Sequence, residues 1–305
     1  MEQESWKIDF YKAMLSETIA YAEIDMETGK LYAAGGIWEL YREECSRRKE
    51  SFLQVIGRHI RENVAPEDTE RCFRYFDDAF IRALYFSGIP TQKYSFRRMV
   101  DGELRWVELV IHVFQERVTQ KVYALLYLKD IDTRMKREIA HEFAANTDPL
   151  THVYNRRMFE QLLHHFMCQG NDPRSGTLLL LDIDNFKTIN DCYGHMEGDD
   201  ALIRLAETLK ATFRSKDVIG RLGGDEFLVF IRDVTEREIL DCQLEELLLK
   251  LHQDGKIPVS CSVGVTFVGR ENFSYERCLK EADLALYQSK RLGKNRVCYY
   301  EDMGK

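Results

Sequence analysis

Arg221-Leu-Gly-Gly-Asp-Glu-Phe227 sets two glycines and two carboxylates between the β-prone run Asp217-Val-Ile-Gly220 and the apolar run Phe227-Leu-Val-Phe-Ile231. Paired glycines at a hairpin tip admit positive φ and let a phosphate approach the backbone, and Asp225 and Glu226 sit where they can hold a divalent cation. Gly-Gly-Asp is equally an ordinary hairpin sequence, so the turn by itself leaves both readings open. A second acidic stretch narrows the choice. Thr177-Leu-Leu-Leu-Leu-Asp-Ile-Asp184 predicts a strand buried on both faces, with carboxylates emerging at its carboxyl end, where open α/β sheets place ligands. Asp184 also suits a solvated strand end and an N-cap for a helix over Asn185–Asn190. Asp182 lies deeper in the apolar run, where a carboxylate is costly unless paired or bound to a cation.

Together with several further stretches, these residues resemble the GGDEF domain of bacterial diguanylate cyclases. The resemblance runs in order through Asp148-Pro-Leu-Thr-His-Val-Tyr-Asn-Arg-Arg157, Asp182-Ile-Asp-Asn-Phe-Lys-Thr-Ile-Asn-Asp-Cys-Tyr-Gly-His195, Gly198-Asp199 and Gly223-Gly-Asp-Glu-Phe227. It continues into Val259-Ser-Cys-Ser-Val-Gly264, Ala282-Asp-Leu-Ala-Leu-Tyr-Gln-Ser-Lys290 and Gly293-Lys-Asn295. One position departs from the family pattern: His152 stands where glycine is usual, which puts the local geometry of the opening motif in doubt.

The resemblance implies the joining of two GTP molecules into cyclic di-GMP, each 3′-hydroxyl attacking the other nucleotide's α-phosphate and expelling pyrophosphate. It implies two Mg²⁺ ions, or Mn²⁺, held by Asp182, the backbone carbonyl of Ile183, and Asp225. Glu226 completes the acidic turn, and the amides of Gly223 and Gly224 lie close to the phosphates. Phe186, Lys187, Lys290 and Lys294 match the family's substrate-binding positions; a lysine at 294, where arginine is frequent, supplies a point charge without a bidentate fork. Asn190 and Asp199 are the implied guanine readers. A carboxylate accepts from guanine's ring N–H and exocyclic amine together, whereas adenine offers no ring N–H. Arg214-Ser-Lys-Asp217 precedes the double glycine at the spacing of the family's product-inhibition site, with Arg214 on the product's phosphate and base edge and Asp217 on its guanine. In isolation such an R-x-x-D pair is an exposed ion pair worth little.

Composition fits this picture. A chain of 305 residues is long enough for about two domains, and a net charge of -8 argues against a general nucleic-acid or anionic-membrane binder. The 8 cysteines show no metal-ligand spacing and read as reduced thiols of a cytoplasmic protein. No stretch approaches the length of a membrane span, and no signal-peptide pattern opens the chain.

The first half reads differently from the second. A helix is predicted over Glu4–Ser16 and strands over Ile19–Asp25 and Lys30–Ala34. Short helices follow around Trp38 and Val55, and a longer one starts at Pro66-Glu-Asp-Thr69. A three-strand meander then covers Lys93–Val100, Arg105–Phe114 and Lys121–Leu128 around the Asp101-Gly102 turn. Pro66-Glu-Asp68, Asp101-Gly-Glu-Leu-Arg-Trp106 and Leu128-Lys-Asp-Ile131 resemble PAS sensor domains, whose small-molecule ligand the sequence does not name. His112 shares its strand face with Glu108 and reads as a rim histidine. From Asp132 to Ala145 a charged helix carries Met135, Ile139 and Phe143 in one narrow stripe suited to pairing with its twin.

The expected organisation is therefore a PAS-like antiparallel sheet with helices over residues 1–130, a linker helix over 131–147, and a GGDEF domain over 148–305. The last is expected as a palm-like α/β sandwich with a mixed sheet, working as a homodimer. Two alternatives are a degenerate domain that binds GTP or cyclic di-GMP as a receptor, and a structural dimerisation module. The intact Asp182, Asn190, Asp199, Asp225 and Glu226 weigh against both.

Overall fold

The computed structural model describes residues 18–116, 118–168, 175–253 and 257–304. The chain divides into two compact units, Met1–Ile139 and Ala140–Lys305. The helix predicted over Glu4–Ser16 lies outside the described residues.

In the first unit β1 (Thr18–Asp25), β2 (Leu31–Gly36), β3 (Thr91–Val100), β4 (Glu103–Gln115) and β5 (Val122–Asp130) form an antiparallel sheet in the order β2-β1-β5-β4-β3. The meander stands as expected: β3 pairs with β4 and β4 with β5 along their lengths. Alternation buries Val107, Leu109, Ile111 and Val113 of β4 in one core with Ala20, Ala22 and Ile24 of β1. Helices α1 (Glu39–Arg48) and α2 (Phe52–Asn63) follow β2. Ser51 opens α2 with a capping box, its side chain accepting from Gln54 N–H while the Gln54 side chain accepts from Ser51 N–H. Trp38 is fully buried between Phe52 and Phe76.

The single longer helix expected after Pro66 is instead a 3₁₀ turn, Pro66–Asp68, followed by α3 (Thr69–Tyr75) and α4 (Asp78–Phe86). Asp77 causes the break. Its backbone is extended and its carboxylate accepts from Phe80 N–H at 2.9 Å, an N-cap that a helix interior has no place for. Helix α5 (Asp132–Asn146) then runs 15 residues with no buried side chain, leaving Ile139 and Phe143 about half exposed.

The second unit is built on a mixed six-stranded sheet in the order β11-β10-β7-β9-β8-β6. Its strands are β6 (Tyr154–Asn155), β7 (Ser175–Ile183), β8 (Val218–Gly223), β9 (Glu226–Arg232), β10 (Cys261–Gly269) and β11 (Val297–Tyr299). The outer pairs β10–β11 and β6–β8 are parallel and the inner pairs antiparallel. Central β7 is buried on both faces, which explains its unbroken leucines. Leu179, Leu181 and Ile183 pack with α8 (His195–Thr212) and α9 (Arg237–Gln253), while Leu178 and Leu180 pack with α6 (Arg156–Cys168) and α10 (Tyr275–Arg291). Asp182 shares the second face, the one α10 covers.

Helix α8 starts four residues before its expected beginning at Asp199. Gly194, at φ 91°, both ends α7 (Phe186–Tyr193) and opens α8, so the two helices meet without a polar cap to mark the boundary.

Candidate active site

The strand register sets the site. Asp182, near the end of β7, lies opposite Glu226, the first residue of β9, and Ile183 N–H donates to the Asp225 carbonyl at 3.4 Å. The turn Gly223-Gly224-Asp225 between β8 and β9 therefore overhangs the end of β7. Gly224 adopts φ 57°, a left-handed angle glycine takes at no steric cost, and nothing lies within 4 Å of where a Cβ would stand on Gly223 or Gly224. The protein itself thus leaves the space over this turn open.

Asp182 is 8 % exposed. Burial pushes its carboxyl above the ordinary carboxylate range, and the neighbouring charges of Asp225 and Glu226 push the same way against the Lys290 ammonium. Lys290, in the last turn of α10, pairs with Asp182 at 2.7 Å. Among the described residues no three His, Cys, Asp or Glu side chains stand close enough to enclose a metal ion. The donor set still suits a hard dication: Mg²⁺ is usually held by one or two carboxylates and completed by substrate phosphates, and Lys290 already neutralises the carboxylate that would bind it.

Asp184 corrects the sequence reading. It is 5 % exposed, neither a solvated strand end nor an N-cap. Ser260 and Ser262 hydroxyls donate to its carboxylate at 2.9 and 2.7 Å, and Asn295 N–H donates at 3.0 Å. It ties the end of β7 to β10 and to the loop after α10. In that loop Lys294 takes φ 64° and donates from Nζ to the Asn185 side-chain oxygen at 2.6 Å.

The residues expected to read guanine come together. Asn190 sits near the end of α7, half-buried against Gly198 of α8, where a Cβ would stand 2.0 Å from its Oδ1. A side chain at 198 would therefore displace the Asn190 amide from this position, and Asp199 follows Gly198, exposed. Phe186 opens α7 and packs against the core, while Lys187 is exposed.

Arg214 and Asp217 lie in the turn before β8. The Arg214 side chain is exposed, but the Asp217 carboxylate is engaged: it accepts from the backbone N–H of Arg214 at 2.9 Å and of Arg232 at 3.1 Å. Asp217 thus shapes the turn itself.

A functional contact that the sequence reading missed is Arg221. Its guanidinium donates to both Asp148 carboxylate oxygens at 3.0 and 3.1 Å and to the Gly224 carbonyl at 3.0 and 2.6 Å. Asp148 also accepts from Thr151 N–H and Oγ1–H at 2.9 and 2.7 Å. Burial opposes its charge, and the Thr151 bonds with Arg221 overcome that and hold the carboxyl below its ordinary range. The opening motif and the double-glycine turn are one latch. The only sequence signal was an arginine two residues before the turn and an aspartate opening the first motif. His152, in the same loop, takes φ 55°, a left-handed angle, and places its ring 5.9 Å from Phe143.

Residues 145–296 match the family model described as "Diguanylate cyclase, GGDEF domain". Over 156 residues the chain is 41% identical to "Probable diguanylate cyclase DgcC" of Escherichia coli K12, covering 49% of this chain and 42% of that protein. Over 222 residues it is 36% identical to "Diguanylate cyclase DosC" of the same strain, covering 70% of this chain and 45% of that protein. The chain spans less than half the length of these relatives. The crystal structure of diguanylate cyclase SiaD with its activator SiaC from Pseudomonas aeruginosa aligns with a TM-score of 0.47 at 32% identity, covering 55% of this chain and 67% of that one. Residues 145–296, with their motifs converging on the Asp182–Asp225 edge of the sheet, are a GGDEF domain of the diguanylate cyclase family.

Proposed function

We propose that this protein condenses two GTP molecules into cyclic di-GMP and two pyrophosphates, with one GTP bound to each of two GGDEF domains placed face to face. The observation that carries the reading is the register placing Asp182 against Glu226 and Asp225 beneath an open double-glycine turn. Mg²⁺, or Mn²⁺, held by Asp182, the Ile183 carbonyl and Asp225, would neutralise phosphate charge and favour the attacking 3′-alkoxide. The chain's own residues do the rest. Gly223 and Gly224 expose backbone N–H groups to the phosphates, and Glu226 extends the acidic edge. Lys290, paired with Asp182 at the strand end, would offer its ammonium to phosphate as well. Lys294 and Lys187 add positive charge beside it, with Phe186 fixing the start of α7. Asn190 and Asp199 accept and donate along the guanine edge, selecting GTP over ATP.

Three further parts belong to the proposal. The first unit is a PAS-like sensor domain for a small molecule, a reading supported by its β2-β1-β5-β4-β3 order with helices between β2 and β3. Helix α5 pairs with its twin through Met135, Ile139 and Phe143, so the domains run as 1–130, 131–147 and 148–305. Cyclic di-GMP inhibits through Arg214, whose free side chain reaches the ligand, with Asp217 holding the turn that presents it. Among the described residues no helix is long and apolar enough to cross a membrane.

Equilibrium binding of GTP, measured beside turnover for the parent and Asp225→Asn, tests the assignment. Binding with turnover in the parent, and binding without turnover in the variant, is the expected pair. A parent that binds GTP and never turns it over is a receptor.

A further inference from the structure

Asn185 stands at the N-cap of α7 and does not cap it. A cap asparagine normally takes extended backbone angles and accepts from a first-turn N–H through its side chain. Asn185 instead lies in the left-handed region, at φ 57° and ψ 31°, and makes no side-chain bond to the helix it opens. Its carbonyl accepts from Ile189 N–H at 3.1 Å, so it still fixes where the helix begins. Its side-chain oxygen is turned away to the Lys294 ammonium, which donates at 2.6 Å from a loop 109 residues further on.

That loop is as unusual as its partner. Gly293, Lys294 and Asn295 take φ 117°, 64° and 46°, three successive positive angles of which two belong to residues with side chains. Such angles are unfavourable for those residues and persist where the surrounding bonds dictate them. Lys294 N–H donates to the Ser289 carbonyl at 3.1 Å, and fully buried Ser289 donates from its hydroxyl to the Arg296 carbonyl at 2.7 Å. Built this way, the end of α10 grips the end of β7 at three points: Lys290 on Asp182, Asn295 N–H on Asp184, and Lys294 on Asn185. The first serves the acidic edge and the second satisfies a buried carboxylate. The third reaches α7, the helix that carries Asn190.

We propose that Asn185 and Lys294 are positioning residues for GTP: Lys294 holds Asn185 in its left-handed turn, and this sets α7, and with it Asn190, relative to the Asp182–Asp225 edge. Asn190 already packs against Gly198 of α8 near the far end of α7. The clasp adds the tie at the near end, between the helix and the strand that carries Asp182. With 8 residues, and positive φ at both Asn185 and Gly194, α7 has little of its own to fix its direction. The inference rests on the cyclase reading and deepens it, giving Lys294 a task beyond its charge.

The test is a double-mutant cycle in the full chain, Lys294→Met against Asn185→Gly, read by equilibrium GTP binding below the melting temperature and by KM and kcat. Glycine takes left-handed angles at no steric cost but offers no oxygen to Lys294, so it removes the clasp and keeps the turn. A lysine acting through Asn185 loses much of its effect once that acceptor is gone. Lys294→Met is therefore expected to weaken GTP binding about two- to tenfold more in the parent than in Asn185→Gly. KM should rise with a smaller change in kcat. Lys294→Arg, which keeps a donor on a long stem, should recover most of the affinity, and Asn185→Ala, which strains the turn as well, should bind more weakly than Asn185→Gly. Equal losses from Lys294→Met in both backgrounds would overturn the proposal and leave the cyclase reading standing, since the ammonium would then act by its charge alone. A parent that binds no GTP would overturn both.

Discussion

Arg221→Met removes the latch between the opening motif and the double-glycine turn. The substitution keeps much of the aliphatic stem but deletes the donors to Asp148 and to the Gly224 carbonyl. Removing one partner of a fully buried ion pair costs about 3–5 kcal/mol. Here the side chains of Arg221 and Asp148 retain 13% and 18% exposure, and Asp148 keeps its two Thr151 bonds. Both facts move the expected loss toward about 2–3 kcal/mol. For a domain of this size, with about 2–4 °C per kcal/mol, that is a fall of about 4–12 °C in melting temperature. Calorimetry on a fragment spanning 140–305 reads it directly, and turnover of the full chain should fall as well because the turn loses its anchor. The pH dependence carries a sign. The Asp148 carboxyl is held below its unfolded value, so its contribution is complete above the unfolded carboxylate pKa of about 3.9 and is lost as pH falls through the lower folded value. The gap between variant and parent should therefore be full at neutral pH and close in acid. A melting difference under about 1 °C at neutral pH, or one equally large in acid, would refute the reasoning.

Asp182→Asn and Asp225→Asn should each abolish turnover while leaving the fold intact, and cyclic di-GMP formation by either with Mg²⁺ as the sole metal would contradict their role. In metal-free buffer Asp182→Asn should melt no lower than the parent at neutral pH. A carboxyl whose folded pKa is raised destabilises the fold while ionised and is relieved as pH falls through that raised value, so a clear loss at neutral pH would count against it. Arg214→Ala should raise the final yield of cyclic di-GMP without changing the initial rate or the melting temperature. Asp217→Ala should also melt lower, by about 1–3 kcal/mol for two orphaned amides, and identical plateaus for parent and Arg214→Ala would remove the inhibitory site. A fragment of residues 148–305 should show activity per molecule that rises with its own concentration while the full chain stays nearly flat; a monomeric fragment of constant specific activity would deny the first unit and α5 their dimerising role.

What the sequence disclosed was local. The leucine run before Asp182, the double glycine and the meander around Asp101-Gly102 depend on neighbours a few residues away, and each stands where periodicity and turn chemistry put it. What it hid was long-range. Asp184 read as a strand-end cap because its partners Ser260, Ser262 and Asn295 lie 76, 78 and 111 residues further on. Arg221 read as part of the turn alone because Asp148 is 73 residues away. The break at Asp77 was legible in principle, since aspartate two residues before an apolar helical run is an N-cap signal, but the continuous helical composition from Thr69 to Phe86 masked it.

The central claim, that two GTP molecules become one cyclic dinucleotide on the Asp182–Asp225 edge, is tested most directly by incubating the purified chain with GTP and Mg²⁺ and quantifying both products in the same reaction. The account predicts two pyrophosphates for each cyclic di-GMP formed, with neither product from ATP in place of GTP and neither from Asp225→Asn. GTP recovered unchanged, or pyrophosphate released without cyclic di-GMP, would contradict it.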